Sequence, residues 1–158
     1  MNDTIKIKGK WKFEIRDAKS GVLKDVIEKE NLIPTVGKTA FAAQICGLAT
    51  KDIGDNLYVA VGNNATAADV SDTTLGTETT RKLVGSTSFL AGVASIACFF
   101  AAGEATGTHK EFGLFGDGNT TTCSAAADSG IIYSHVGGLT ITIGETETLT
   151  TTFSITFA

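Results

Sequence analysis

One proline, two histidines, one methionine and one tryptophan stand among 158 residues, and only three basic residues follow Lys51. Each scarcity excludes something. The single proline, Pro34, rules out polyproline spacers and leaves nearly every backbone N–H free to enter a hydrogen-bonded ladder. Two histidines, His109 and His135, do not supply the three or four ligands that zinc takes, and no C-x-x-C, H-x-H or H-E-x-x-H spacing adds to them. The cysteines Cys46, Cys98 and Cys123 are odd in number and widely separated, which argues against a disulfide framework and fits a reducing compartment. Cys98, inside "SIACFF", reads as a small core side chain. The most apolar stretch, "FLAGVASIACFFAA" (89–102), falls short of the roughly 20 residues a membrane-spanning helix needs. "MNDTIKIKGK" has no apolar segment of signal-peptide length. A soluble chain with neither a membrane partner nor Sec-type export is expected.

Nucleic acid is disfavoured by where the charge lies. Residues 1–51 carry ten of the thirteen basic groups, so this segment is net +4 and the remainder net −8. Lys6, Lys8, Lys10 and Lys12 alternate with Ile5, Ile7, Gly9, Trp11 and Phe13, which is the period of a strand with one wet face rather than a phosphate-binding strip. An acidic remainder would also repel a duplex.

What is abundant is apolar residues, at 42%, and glycine, with 18 copies, as in a globular chain with many tight turns. Trp11, Phe13 and Ile15 alternate with Lys10, Lys12, Glu14 and Arg16; "DAKSG" (17–21) is turn chemistry, and residues 22–31 return with Val22, Val26 and Ile27 as apolar positions and a bulge. One helix is expected near 35–47, capped by Thr35, stopped at Gly47 and burying Phe41, Ile45 and Leu48. The rest reads as strands: "LYVAV" (57–61) as a central one, "TRKLVGSTSF" (80–89) paired with "GVASIACFFAAG" (92–103) across a Gly92 turn, "THKEFGLFG" (108–116), "IIYSHVGG" (131–138), and a Thr-rich terminal hairpin around Gly144. About nine short strands and one helix indicate a mainly β fold, an antiparallel β-sandwich of jelly-roll-like type. It is read as one domain over 1–158, with the hairpin 4–31 as a docking element.

Little in the sequence is shaped for chemistry. His109 and Glu111 alternate in "HKE" and would face one side of a strand, yet nothing completes a metal set, and an ordinary strand histidine is the better reading. No serine sits in a G-x-S-x-G elbow, "GLFGDGN" lacks the G-K-[ST] of a phosphate loop, and "DGN" lacks the repeated carboxylates of a calcium loop. No catalytic residue, metal or cofactor is expected. A carboxylate among Phe112, Gly113, Leu114 and Phe115 needs a partner, so Arg81 and Glu111 are expected to pair, with Glu78 as the alternative for Arg81.

"YVAVGNNATAADVSDTTLGTETTRK" (58–82) resembles a stretch recurring in virion structural proteins of tailed bacteriophages. Those run as an apolar strand, a "GTGTTA" loop, "DT-x-L-x-x-E-x-x-R", and later "GT-x-x-EAGLF" before a Thr-rich terminal strand pair. The corresponding pieces here are Val59–Gly62, the Asn63–Ala68 loop, Asp72 and Thr73 with Leu75, Glu78 and Arg81, then Gly107 and Thr108 with Glu111, Gly113, Leu114 and Phe115. "ENLIPTVGKTAFAAQI" (30–45) resembles the helix that follows "N-x-[IV]-x-x-x-G" in such proteins. The likeness spans about residues 30–158. It departs at Asn63 and Asn64, where the pattern has Gly-Thr, and at Phe112, where it has alanine.

The resemblance implies a virion component on the particle surface, as capsid decoration or as part of a tail fibre or baseplate. Such a subunit would be assembled in the bacterial cytoplasm, would self-associate, and would dock on other virion proteins. It brings no catalytic residues. The residues expected to face neighbours are Asn63, Asn64, Thr66 and Asp69 in the polar loop and Lys8, Lys10 and Lys12 on the basic strand. The alternative is a receptor- or carbohydrate-binding module at a tail tip, with Trp11, Tyr58 and Tyr133 as candidate aromatics.

Overall fold

Alternating apolar positions fold into two antiparallel sheets that face each other. The computed structural model describes residues 6–157, so Thr4 and Ile5 of the expected 4–31 hairpin lie outside the described residues. The chain runs β1 (Ile7–Asp17), β2 (Leu23–Glu30), α1 (Thr35–Ile45), β3 (Tyr58–Gly62), β4 (Glu78–Leu83), β5 (Ser86–Leu90), β6 (Val93–Phe100), β7 (Gly107–His109), β8 (Glu111–Gly116), β9 (Ile131–Val136), β10 (Ile141–Ile143) and β11 (Glu147–Phe157). The first sheet is ordered β2-β1-β11-β6-β5, the second β4-β3-β8-β9, and β10 and β7 form a two-stranded ladder of their own. The fold is therefore mainly β, an antiparallel sandwich with a single short helix among the described residues.

Register explains the core. Trp11 pairs with Phe153 and Ile15 with Leu149 across β1 and β11, and Leu149 pairs with Phe100 of β6, so their side chains share the inner face. Val59, Val61, Phe112 and Leu114 meet them from the second sheet. Phe13 and Phe112 lie 4.5 Å apart between ring centroids, which closes the gap between the layers. The Trp11 indole N–H donates to Ser134 Oγ at 2.7 Å, satisfying its one polar atom within the core. Each such large side chain contributes about 1.5–3 kcal/mol on burial. Thr148, Thr150, Thr152, Ser154 and Thr156 take the wet face of β11, while Thr151 turns inward and donates to the Cys98 carbonyl at 3.4 Å.

The turns follow their residue chemistry. Asp17 Oδ1 accepts the Ser20 amide at 2.7 Å and the Ser20 hydroxyl at 2.8 Å. β5 and β6 are joined by Ala91 (φ 49°) and Gly92 (φ 77°), a two-residue hairpin turn with both residues left-handed. The bulge expected between the first two strands falls at Ile15/Arg16.

Six expectations need correction. Residues 80–89 are two strands in different sheets, because the Val84 amide is held by O of Leu57, the residue before β3 of the second sheet (2.8 Å), and the Gly85 amide by Ala97 O of the first (3.1 Å). Residues 108–116 break at Lys110, whose amide donates to Gly62 O while its carbonyl accepts the Leu139 amide. The terminal segment does not zip on itself, since β10 pairs with β7 and β11 runs between β1 and β6. Val22 and Val26 are exposed, and Ile27 is the position of the expected set that reaches the core.

The helix, finally, buries Gly37 and Ala40 rather than a Phe41–Ile45–Leu48 stripe; Ile45 is 87% and Leu48 74% exposed. It approaches β9 so closely that a Cβ at Gly37 would stand 2.8 Å from Ile132 O. Phe41 still packs on Tyr133, with centroids 5.3 Å apart. Thr35 is the first helical residue, not its cap, and Gly47 (φ 67°) follows the helix end as expected.

These placements separate two substitutions that look alike in the sequence. Phe13→Ala is expected to lower unfolding free energy by about 3–5 kcal/mol in urea titration. Ile45→Ser is expected to change it by no more than about 0.5 kcal/mol.

Candidate functional site

The chemically dense part of the molecule lies on the outer face of the second sheet. β8 is buried on both sides: Phe112 and Leu114 face the first sheet, and Glu111, Gly113 and Phe115 face away from it. Ala60, Leu75, Phe115, Cys123 and Ile132 form a second apolar cluster there, with Val36 and Tyr58 packed against it. The polar stretch 63–77 is thus a third layer, anchored by Leu75. Gly113 makes room for it, since a Cβ there would lie 3.0 Å from Leu75 Cδ2 and 2.8 Å from the Phe115 ring.

Glu111 fastens that layer. Its side chain is buried, and Oε1 accepts the amides of Thr77 (2.7 Å) and Asn64 (3.2 Å) while Oε2 accepts that of Gly76 (2.8 Å). Oε2 also meets His135 Nε2 at 3.3 Å. On the other side of the ring, His135 Nδ1 lies 2.6 Å from Asp72 Oδ2, which accepts the Asp69 amide at 2.7 Å. A neutral imidazole donates to one of these carboxylates, and an imidazolium donates to both. One connected network therefore holds the loop at Asn64, at Asp69–Asp72 and at Gly76–Thr77.

Arg81 forms a separate buried pair. Its Nε and Nη2 donate to the two oxygens of Glu78 at 2.6 and 2.7 Å, and both side chains are 2% exposed. The guanidinium lies 4.7 Å from the Phe115 ring centroid, and Nη1 donates to the carbonyls of Ser129 (2.9 Å) and Ser124 (3.1 Å), tying the 120–130 loop to β4. Burial works against the charge, but the Glu78 carboxylate more than compensates and holds the guanidinium above its ordinary range.

The expected Arg81–Glu111 pair is accordingly corrected: Arg81 binds Glu78, its alternative, and Glu111 binds His135 and three amides. The cause is a bulge. Residues three apart in a regular strand face opposite sides, but β4 shifts register between its pairs Val61↔Thr80 and Gly62↔Glu78, which turns Glu78 to the same face as Arg81.

The expected interaction residues divide. Asn63 and Thr66 are exposed. Asn64 is half-buried, and its Oδ1 accepts the Thr66 amide at 2.8 Å. Asp69 is exposed but accepts the Ser71 amide and hydroxyl at 2.9 and 2.6 Å, so both residues shape the loop itself. Lys8 is exposed. Lys10 is ion-paired with Glu28 and Lys12 with Glu14 (3.3 Å), so the wet face of β1 and β2 is a mixed-sign ladder, not a basic patch.

His109 and Glu111 do not share a face. The break at Lys110 sets His109 edge-on to Phe112 in the inter-sheet core, with Nε2 2.8 Å from Ala105 O. Among the described residues no group of three or more His, Cys, Asp and Glu side chains is placed to hold a metal ion. Both nitrogens of His135 face carboxylates, which leaves neither to activate a hydroxyl. Of the aromatics proposed for sugar stacking, Trp11 and Tyr133 are buried, and Tyr58 is half-buried beside Arg81. No protein-family model, curated protein or solved structure matches the chain.

The two networks predict distinct responses. Glu111→Ala leaves three amides and His135 without their acceptor and is expected to cost about 3–5 kcal/mol, with faster amide exchange at Asn64, Gly76 and Thr77. In double-mutant cycles Arg81→Met should couple to Glu78→Gln by about 1–3 kcal/mol and add independently to Glu111→Gln.

Proposed function

We propose that this chain is a virion structural protein of a tailed bacteriophage: a small sandwich subunit on the particle surface, in capsid decoration or in a tail fibre or baseplate. It acts by self-association and by docking on other virion proteins, not by chemistry. The observation that carries the reading is where the residues of the phage-like pattern fall. Asp72, Glu78, Arg81 and Glu111 are buried or half-buried in the networks that clamp the outer layer, and Leu75 and Gly113 interlock beneath it. A pattern made of such residues preserves a rigid outer surface. The short side chains of the loop lose little rotamer entropy when a neighbour orders them, which suits a surface buried in an assembly.

Particles purified from the phage or prophage that carries the gene should contain the chain in many copies by quantitative mass spectrometry. Deleting the gene should remove it and impair particle assembly or stability. Particles that lack the chain in the wild type would refute the proposal.

A further inference from the structure

The edge strand β5 stands apart from every other edge of the sandwich. No residue from Leu83 to Gly103 is charged, and all five residues of β5 are exposed. Phe89 is 89% and Leu90 79% exposed. Among the described residues no strand pairs with the far side of β5, so alternate N–H and C=O groups along it point outward.

The other edges are guarded. β2, at the opposite side of the same sheet, carries Lys24, Asp25, Glu28, Lys29 and Glu30. In the second sheet β4 carries Lys82, ion-paired with Glu104, and is tied to the 120–130 loop through Arg81, while β9 is flanked by the Leu32↔His135 bridge. Phe89 lies opposite Ala94, which lies opposite Ile155, so it sits on the core side of the first sheet without cover.

We propose that β5 is a self-association edge and that its occupant is β5 of a second copy, paired antiparallel about a two-fold axis through Ser88. This names the contact for the assembly described above and rests on that reading. Two features select a second copy. A strip without charge lets two identical, net-negative chains meet without like charges in contact. The strip is also self-complementary: a two-fold axis normal to the sheet makes one residue face itself, and with Ser88 at the axis all five residues pair. Phe89 then lies beside Thr87 of the second copy and Leu90 beside its Ser86, large against small on each face. The β2 edge offers no such match, because its charged side chains disfavour head-to-tail growth. The product is one continuous sheet of ten strands with the charged β2 edges outermost.

Sedimentation velocity of the full chain over a concentration series tests this. The wild type should form dimers. Ser88→Lys and Ser88→Asp each place like charges face to face at the axis and should weaken the dimer about tenfold or more, with thermal melting of the subunit unchanged. An equimolar mixture of the two variants should restore a heterodimer. A wild type that stays monomeric, single variants that dimerise as the wild type does, or a mixture that stays monomeric would each overturn the proposal. A chain that is monomeric yet present in particles would remove this interface and leave the virion reading standing; a dimer absent from particles would do the reverse.

Discussion

A buried carboxylate that collects three backbone amides is the constraint on which the outer half of this molecule depends. Glu111 opens β8, an inner strand of the second sheet, on the face turned away from the core, where burial would be unfavourable without donors. The donors come from a loop with few apolar residues of its own. Carboxylate and loop therefore need each other: the loop shields the charge, and the charge holds Asn64, Gly76 and Thr77 in place. His135 and Asp72 extend the arrangement to the middle of the loop. Charge-assisted bonds contribute about 1.5–3 kcal/mol each, of the same order as the desolvation they offset. The network thus gives the loop one conformation more than it gives the fold net stability.

Small residues make that layer possible. Gly62, Ala60 and Gly113 lie in register across β3 and β8, forming a hollow in the outer face. A Cβ at Gly62 would stand 2.5 Å from both Glu111 Oε1 and Thr77 O, and one at Gly113 would press on Leu75. The sandwich is consequently asymmetric. Its first sheet presents Thr, Ser and paired charges to solvent, whereas its second is covered on both sides. Surface chemistry is concentrated on the first sheet and at the β5 edge, and buried chemistry lies under the loop.

Period-two alternation made the sheets legible from residues alone. Trp11, Phe13 and Ile15 announced an inner face, and "LYVAV" announced a strand covered on both sides; both are so placed. Strand composition did not reveal where a strand changes sheet. "TRKLVGSTSF" carries no break signal strong enough to mark Val84 and Gly85 as a change of sheet, and the division there follows from Leu57 O and Ala97 O holding two consecutive amides on opposite layers. The helix was legible as a helix, but its buried face was not. Gly37 and Ala40 carry almost no hydrophobic signal and are inside because only small residues let the helix approach β9.

The same limit governed the charges. A carboxylate followed directly by Phe112, Gly113, Leu114 and Phe115 had to be partnered, and that much followed from burial. Which partner it took depended on a bulge that turns Glu78 toward Arg81 and on a loop whose amides reach Glu111 before any side-chain cation does. The sequence by itself determined the strand faces, the turns, the need for a counter-group and the uncharged strip from Leu83 to Gly103. Tertiary structure alone decided the pairings, the third layer and the exposure of β5. Periodicity is a property of neighbours along the chain, whereas hydrogen-bond partners and burial arise between residues the chain brings together from afar.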